Sequence, residues 1–206
     1  FKLNAKITFA KEVEDIKYSS DKTRIVYKSN SNTLYNLETV MLGTFQSFNV
    51  CTAIETIEVL RKKGFEISKK NIEEGIKKAV WHGRFEKIGE KPLIYFDGGH
   101  NPGAARNIKE SLEIYFTNKK IVYIIGVLGD KDYDEVLKIT ANKADEIITI
   151  TPRDNVRALD GKILLKTVLK YNTNAQYVED LNKAVDKARE LAGIDGVVII
   201  FGSLSY

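Results

Sequence analysis

The residues with the clearest capacity for chemistry lie in one short turn, Asp97-Gly-Gly-His-Asn-Pro102. Asp97 can accept hydrogen bonds from a ribose or orient a basic group, and His100 can donate to a phosphate oxygen. Gly98 and Gly99 have no side chain, so the backbone there can come close to a ligand. This combination is typical of a site for an anionic, phosphate-bearing small molecule.

The end of this turn predicts the start of a helix. Asn101 is a good N-cap and Pro102 a good first helical residue. The free N–H groups and the dipole of a helix start both favour a bound anion. A structural alternative stays open, in which Asp97 and Asn101 only cap the helix and His100 is an ordinary surface residue.

Polar residues follow three later strands of the predicted sheet, in the turns Gly129-Asp-Lys-Asp132, Thr151-Pro-Arg-Asp154 and Gly202-Ser203. Ligands of open parallel sheets bind beyond the carboxyl ends of the strands, so these turns are candidate parts of one site. Arg153 and Arg157 can grip a carboxylate or phosphate, although exposed loop arginines are common. The turn around Lys131 can equally be a solvated helix start with a surface ion pair.

Two further candidates precede this region. Gln46 and Asn49 lie three positions apart at a predicted helix start, and therefore on one side of that helix, where capping or simple exposure is the alternative. Arg84 follows a glycine at the junction of two regions and can reach into a cleft between domains.

The elements that position these residues fall into two groups. Residues 1–39 contain the short β-rich runs Lys6-Phe9, Thr23-Lys28 and Leu34-Leu37. Helices are predicted over Gln46–Lys63 and, capped by Ser68, over Ser68–Val80. We expect the β-rich runs to be antiparallel strands at the edge of a larger structure.

From Phe85 onward, strands and helices alternate. The predicted strands are Leu93–Phe96, Ile121–Val127, Glu146–Ile150, Gln176–Val178 and Val197–Phe201, and the predicted helices are Pro102–Phe116, Asp132–Ala141, Gly161–Tyr171 and Leu181–Leu191. This alternation predicts an α/β fold, with a Rossmann-like, mostly parallel sheet and helices on both faces. We place a domain boundary near residues 82–84, which gives domains 1–82 and 83–206.

Composition excludes several classes of protein. With 206 residues, 43% hydrophobic and 29% charged, the chain is globular. The net charge of +4 is spread over 32 basic and 28 acidic residues without a basic stripe, which argues against nucleic acid binding. The apolar runs are shorter than the roughly 20 residues of a membrane-spanning helix. The lone Cys51 favours a reducing compartment, the cytoplasm, and no metal-ligand pattern is present.

The chain resembles folylpolyglutamate synthase/dihydrofolate synthase of the Mur ligase superfamily. The segments that carry the resemblance are Met41-Leu-Gly-Thr-Phe-Gln-Ser-Phe-Asn49 (family L-x-G-x-H-Q-x-x-N), Trp81-His-Gly-Arg-Phe-Glu86 (W-x-G-R-x-E), Asp97-Gly-Gly-His-Asn-Pro102 (D-G-A-H-N-P), Gly129-Asp-Lys-Asp132 (D-K-D), Pro152-Arg153 with Arg157-Ala158 (P-R-A) and Gly202-Ser-Leu204 (G-S-L-Y). Each is weak alone, but their order along the chain is that of the family.

The resemblance implies a ligase reaction. The carboxylate of a folate or dihydropteroate would take the γ-phosphoryl group of ATP, with Mg2+, and the amine of L-glutamate would displace phosphate from the acyl phosphate. Asn49, Arg84 and Asp97 to His100 (with Gly98 and Gly99) would contact ATP in a cleft between domains. Asp97 and His100 would be catalytic, and Ser203 would lie near glutamate.

Some positions depart from the family pattern. Phe45 replaces the usual histidine, Gly99 replaces alanine in what we expect to be a mild change, and Ser205 stands where tyrosine is typical. The phosphate-binding G-x-x-G-K-[ST] loop, the lysine that the family carbamylates and the magnesium ligands are not in this sequence. Because the chain opens at Phe1 and its only methionine is Met41, we expect them upstream of Phe1.

We therefore expect residues 1–82 to complete a central ATPase domain and residues 83–206 to form the C-terminal domain of a monomeric enzyme. On this interpretation the isolated chain is inactive and binds ATP weakly. Two alternatives stay open: another Mur-type amino acid ligase, and a non-catalytic αβ module that binds a phosphate-bearing ligand.

Overall fold

The computed structural model describes residues 6–203, and the chain divides into two compact units between Trp81 and His82. Leu204, Ser205 and Tyr206, which complete the terminal segment of the resemblance, lie outside the described residues. None of the helices in the described part of the chain has the length and apolar character needed to cross a bilayer.

The first unit consists of a small antiparallel sheet and two helices. Its elements are β1 Asp15–Tyr18, β2 Thr23–Lys28, β3 Leu34–Thr39, α1 Gln46–Lys62 and α2 Lys69–Lys78. The strands pair in the order β1-β2-β3. Ser68 caps α2, as the sequence predicts, by accepting a hydrogen bond from the Asn71 N–H.

The strand expected at Lys6–Phe9 is wrong, and β1 pairs with β2 instead. Ile7 and Phe9 are 73% and 79% exposed, so their alternation with polar residues buries no face of a sheet. Without a neighbouring strand, the backbone donors and acceptors of this run have no ladder to join.

Buried tyrosines and glutamates connect the sheet of the first unit to α1. The hydroxyl of Tyr27 donates to Glu55 over 2.7 Å, and the hydroxyl of Tyr35 donates to Glu58. Glu55 also accepts the Asn30 N–H, over 2.8 Å. Burial, with the bond to Glu58, raises the pKa of Tyr35 to about 12, so this hydroxyl remains a donor. These bonds provide the buried carboxylates with the partners that they need inside an apolar core.

The second unit is built on a sheet of six strands. Its elements are β4 Glu86–Glu90, β5 Leu93–Asp97, α3 Pro102–Tyr115, β6 Ile121–Ile125, α4 Tyr133–Thr140 with a 3-10 turn Ala141–Lys143, β7 Glu146–Thr149, α5 Gly161–Val168, β8 Ala175–Tyr177, α6 Leu181–Ala192 and β9 Val197–Phe201. The strand order is β4-β5-β9-β6-β7-β8, and all pairs are parallel except β4 with β5.

Helices cover both faces of this sheet. Ala184, Ala188 and Ala192 of α6 pack against Ile94, Val122 and other apolar residues of the strands on one face. Because side chains alternate along a strand, the neighbouring Tyr95 and Tyr123 point to the opposite face. There the ring of Tyr95 packs against Phe116 after α3, and the Tyr123 hydroxyl donates to the Thr140 carbonyl of α4. The predicted mostly parallel α/β sheet with helices on both faces is confirmed.

Two strands, β1 and β4, are missing from the sequence-based prediction. β4 is an antiparallel edge strand with the sequence Glu-Lys-Ile-Gly-Glu, in which the only large apolar side chain, Ile88, is 54% exposed. It buries no continuous face, so it gives neither the alternation nor the apolar run by which strands are recognised.

The bond from Tyr27 to Glu55 generates a stability prediction. We expect Tyr27→Phe to lower the free energy of unfolding by about 1–3 kcal/mol, because it removes a partner from a buried carboxylate. Urea unfolding followed by circular dichroism measures this change.

Tyr95→Phe is the matched control. The Tyr95 hydroxyl is buried without a hydrogen-bond partner among the described residues, so its removal should leave stability unchanged or raise it. An equal loss in both variants would contradict the role of the Tyr27 bond.

Candidate functional site

Asp97 lies at the end of β5 and is only 4% exposed. One of its carboxylate oxygens accepts the Gly99 N–H over 2.6 Å, and the other accepts the Phe85 N–H over 2.8 Å. Asp97 therefore joins the turn that follows β5 to the turn that precedes β4. Both oxygens of this carboxylate are used within the protein.

A second set of bonds connects the same two turns. The Gly98 N–H donates to the Gly83 carbonyl over 2.9 Å, and the Arg84 guanidinium donates to that carbonyl over 3.2 Å. Glu86 accepts the Gly83 N–H over 2.8 Å and contacts Nδ1 of His82 at 2.7 Å. These bonds place Arg84 beside the turn that contains His100.

The backbone of Phe85 is held in an unusual conformation, with φ of 49°. Its ring is fully buried, with centroids 5.1 Å from Tyr95 and 5.8 Å from Tyr115. A non-glycine residue at positive φ costs about 1–3 kcal/mol. Burying a phenylalanine side chain contributes about 1.5–3 kcal/mol, which is enough to offset that cost. The buried ring and the bond from its N–H to Asp97 together fix the residue that follows Arg84.

His100 and Asn101 lead into α3. Nδ1 of His100 lies 2.9 Å from the Gly98 carbonyl, so Nδ1 carries a proton and Nε2 is the nitrogen left for a ligand. Asn101 caps α3 by accepting the Ala104 N–H over 3.0 Å, and Pro102 is the first helical residue. The predicted cap is confirmed. A protonated His100 can donate from Nε2 to an anion near this helix start.

The two glycines of the turn have their N–H groups engaged within the protein, Gly98 with Gly83 and Gly99 with Asp97. A Cβ added at Gly99 would lie 2.6 Å from Oδ1 of Asp97 and 2.8 Å from Cβ of Ala104. The replacement of the family's alanine by Gly99 is therefore not mild in this chain, because alanine would force the turn to shift.

The pKa values of the Asp97 and Glu86 carboxyl groups are shifted in opposite directions. Burial raises the pKa of the Asp97 carboxyl, whereas the N–H groups of Gly99 and Phe85 and the side chains of Arg84 and His100 oppose that shift. The Gly83 N–H, followed by His82, holds the pKa of Glu86 below its usual range. Glu86 therefore stays ionised as the pH falls, and the bonds that it accepts persist in mild acid.

Ser203 lies at the same edge of the sheet. In the parallel register, Phe201 of β9 pairs with both Asp97 of β5 and Ile125 of β6, and Ser203 follows two residues later. Ser203 is 4% exposed. Gly202 has φ of 113°, and a Cβ there would lie 2.4 Å from the Gly126 carbonyl oxygen, so glycine is required at this crossing.

The charged loops after β6 and β7 form surface ion pairs. Arg157 pairs with Asp130 at 3.3 Å, and Arg153 pairs with Asp180. Asp132 caps α4, and Lys131 lies 3.9 Å from Asp130. The interpretation of this turn as a solvated helix start is confirmed. Both arginines already have a carboxylate partner in this structure.

Asn49 belongs to the first unit, so it lies apart in the chain from the residues above. It is exposed on the first turn of α1, and its Nδ2 donates to Oε1 of Gln46 over 3.0 Å. Gln46 is 2% exposed, and its Nε2 has no hydrogen-bond partner among residues 6–203. The bond fixes the orientation of the Asn49 amide and leaves its oxygen available to a donor.

Phe85 and Glu86 have no role in the site predicted from the sequence. A signal for Glu86 is present, because a carboxylate three residues after Gly83 is well spaced to accept that N–H across a turn. No group of three or more His, Cys, Asp or Glu side chains that could hold a metal ion occurs among the described residues.

The two bonds to Asp97 generate a second prediction. In Asp97→Asn only one side-chain oxygen remains, and the amide N–H2 group faces a backbone N–H donor that it cannot bind. Hydrogen bonds to charged groups contribute about 1.5–3 kcal/mol. We therefore expect hydrogen exchange at the Phe85 and Gly99 N–H groups to accelerate by roughly tenfold or more. Exchange measured by NMR tests this.

Asp132→Asn is the control, because Asp132 also accepts a backbone N–H, and asparagine and aspartate cap helices about equally well. Unchanged exchange at Phe85 in Asp97→Asn would show that the carboxylate does not hold the turn.

Comparison with known proteins identifies relatives of both units. Residues 83–204 match the family described as Mur ligase, glutamate ligase domain. The dihydrofolate synthase/folylpolyglutamate synthase of Bacillus subtilis (strain 168) is 28% identical over 181 residues, which cover 87% of this chain and 41% of the relative. The Escherichia coli (strain K12) protein of the same name is 29% identical, over 81% of this chain and 38% of its own length.

Solved structures show the same relationship. Folylpolyglutamate synthase from Thermotoga maritima superposes with a TM-score of 0.75 at 28% identity, over 94% of this chain and 43% of that one. The Mycobacterium tuberculosis enzyme complexed with ADP and AMPPCP has the same fold, with a TM-score of 0.83 at 22% identity, over 93% of this chain and 45% of that one.

The chain thus spans less than half the length of these relatives. The matched residues 83–204 fall within the second unit, which is built on the six-stranded sheet. The chain belongs to the Mur ligase family, and residues 83–204 are its glutamate ligase domain.

Proposed function

We propose that this chain is part of an ATP-dependent ligase that adds L-glutamate to a folate or to dihydropteroate. The observation that carries the proposal is the pair of joined turns at the end of β5, which bring Arg84 and His100 together before the start of α3. Cationic side chains beside a helix N-terminus can stabilise the charge of a transferring phosphoryl group. The names of the relatives supply the substrate class.

In the proposed reaction, a carboxylate oxygen of the folate bonds to the γ-phosphorus of ATP, and the bond to the β-phosphate oxygen breaks to release ADP. The glutamate nitrogen then bonds to the activated carbonyl carbon, loses a proton, and displaces inorganic phosphate. The products are an amide, ADP and phosphate, so atoms and charge balance. The chain's own contribution is to place positive charge where the phosphoryl group moves.

Each residue of the candidate site has a role in this proposal. Arg84 and protonated His100 contact the phosphates. Asp97 acts as a positioning residue, because both of its oxygens are bonded to the backbone. Asn49 contacts the nucleotide from the first unit, and Ser203 contacts the incoming glutamate.

Gly98 and Gly99 line the nucleotide site in this proposal, as small residues between Asp97 and His100. Their N–H groups hold the turn, so they shape the site and do not donate to a phosphate. Mg2+ would neutralise phosphate charge in such a reaction. The described residues lack a cluster of three candidate ligands, so we assign no magnesium ligand and no step to the metal within this chain.

The relatives favour this proposal over its alternatives. A non-catalytic binding module does not fit a chain whose second unit is a Mur ligase domain. A cell-wall precursor as substrate fits less well than a folate, because the curated relatives carry the name dihydrofolate synthase or folylpolyglutamate synthase.

We further propose that the full-length enzyme is a cytoplasmic monomer. A reducing compartment suits Cys51, which is buried and whose pKa is raised to about 11 by burial. The expected result of multi-angle light scattering on the full-length protein is the mass of a single chain, independent of concentration. A stable dimer mass would contradict the monomer.

The proposed function is tested by assaying the full-length protein with dihydropteroate and with a folate monoglutamate. We expect ATP-dependent addition of one glutamate, detected by mass spectrometry. Arg84→Ala and His100→Ala should each lower kcat/KM for ATP by on the order of 10²–10³, because each removes a group that stabilises transferring charge.

Arg106→Ala is the matched control, since Arg106 is an exposed arginine of α3 outside the two turns. The 206-residue chain alone should form no product, because most of the nucleotide site would lie in the rest of the protein. Full activity of His100→Ala, or of the isolated chain, would contradict the proposal.

A further inference from the structure

Arg84 lies between two anchored residues. The N–H of Gly83, on one side, is held by Glu86 at 2.8 Å, and the N–H of Phe85, on the other side, is held by Asp97 at 2.8 Å. The guanidinium itself donates to the Gly83 carbonyl, which also accepts the Gly98 N–H. The direction in which the Arg84 side chain leaves the turn therefore depends on two carboxylates.

We propose that Glu86 is a positioning residue of the ligase reaction, which acts on the substrate only through the Arg84 turn. The inference rests on the proposed function, because Arg84 has a phosphate to contact only in that reaction. Both oxygens of Glu86 have partners next to Arg84, since one accepts the Gly83 N–H and the other contacts His82.

The backbone of this turn explains why it needs an anchor. Gly83 has φ of 70° and Phe85 has φ of 49°, so the residues on both sides of Arg84 lie in the left-handed region. Such conformations persist only when surrounding contacts over-determine them. The Phe85 side is fixed by its buried ring and by Asp97. On the Gly83 side, Glu86 accepts the N–H and the Gly98 N–H donates to the carbonyl. Loss of Glu86 should therefore loosen the turn at Gly83, which keeps only its bond to Gly98.

The test uses the full-length protein with Glu86→Ala and Glu86→Gln, each alone and combined with Arg84→Ala. We expect Glu86→Ala to lower kcat/KM for ATP by on the order of tenfold, a typical coupling between residues of one hydrogen-bond network. Glu86→Gln should retain most of the activity, because its amide oxygen can still accept the Gly83 N–H. In the Arg84→Ala background, Glu86→Ala should have no further effect.

Glu90→Ala is the matched control. Glu90 lies on the same strand, β4, but forms only a solvent-exposed pair with Lys87. A readout independent of activity is hydrogen exchange across residues 82–86, which should accelerate in Glu86→Ala and stay as in the wild type in Glu86→Gln and Glu90→Ala.

The outcomes separate this inference from the proposed function. Suppose that the wild-type protein ligates glutamate, but the loss of kcat/KM in the double variant equals the product of the losses in Glu86→Ala and Arg84→Ala. Glu86 then does not act through Arg84, and the inference is wrong. Equal losses in Glu86→Gln and Glu86→Ala, or unchanged exchange in Glu86→Ala, would also overturn it. Failure of the proposed function is a different result, in which the wild-type protein forms no glutamate adduct at all.

Discussion

The buried carboxylate of Asp97 ties together the turn before β4 and the turn after β5, at one end of the antiparallel β4–β5 pair. It ends β5 and accepts one N–H from the turn before β4 and one from the turn before α3. An ionised group in such a buried position is costly unless it is bonded, and charge-assisted bonds to backbone N–H groups are among the stronger ones in proteins. Arg84 and His100 belong to the two turns that Asp97 and the bond between Gly98 and Gly83 join, so the geometry of the candidate site depends on this carboxylate together with that backbone bond.

Much of the fold could be predicted because its signals are local. The run Val197–Phe201 is apolar throughout and is a strand over those same residues. The caps Ser68, Asn101 and Asp132 marked helix starts correctly. The failures have a physical reason too. Lys6–Phe9 has strand-like residues without a partner strand, and β4 is a strand held by its pairing with β5, which its own sequence does not reveal.

Part of the geometry of the candidate site could be predicted. The rule that ligands lie beyond the carboxyl ends of parallel strands directs attention to the turn after Asp97. The sequence could not show that both Asp97 oxygens are consumed by backbone donors, because one donor, Phe85, lies 12 residues away in a turn with left-handed backbone. The sequence also could not show that Arg153 and Arg157 form ion pairs, because their partners Asp180 and Asp130 are distant in sequence.

We propose that Asp97 holds the two turns while Arg84 and His100 contact the nucleotide. A crystal structure of the full-length protein with a non-hydrolysable ATP analogue tests this proposal most directly. We expect Arg84 and Nε2 of His100 to lie within hydrogen-bond distance of phosphate oxygens while Asp97 remains bonded to the N–H groups of Phe85 and Gly99. Asp97 in contact with the nucleotide, or phosphates bound away from Arg84 and His100, would contradict it.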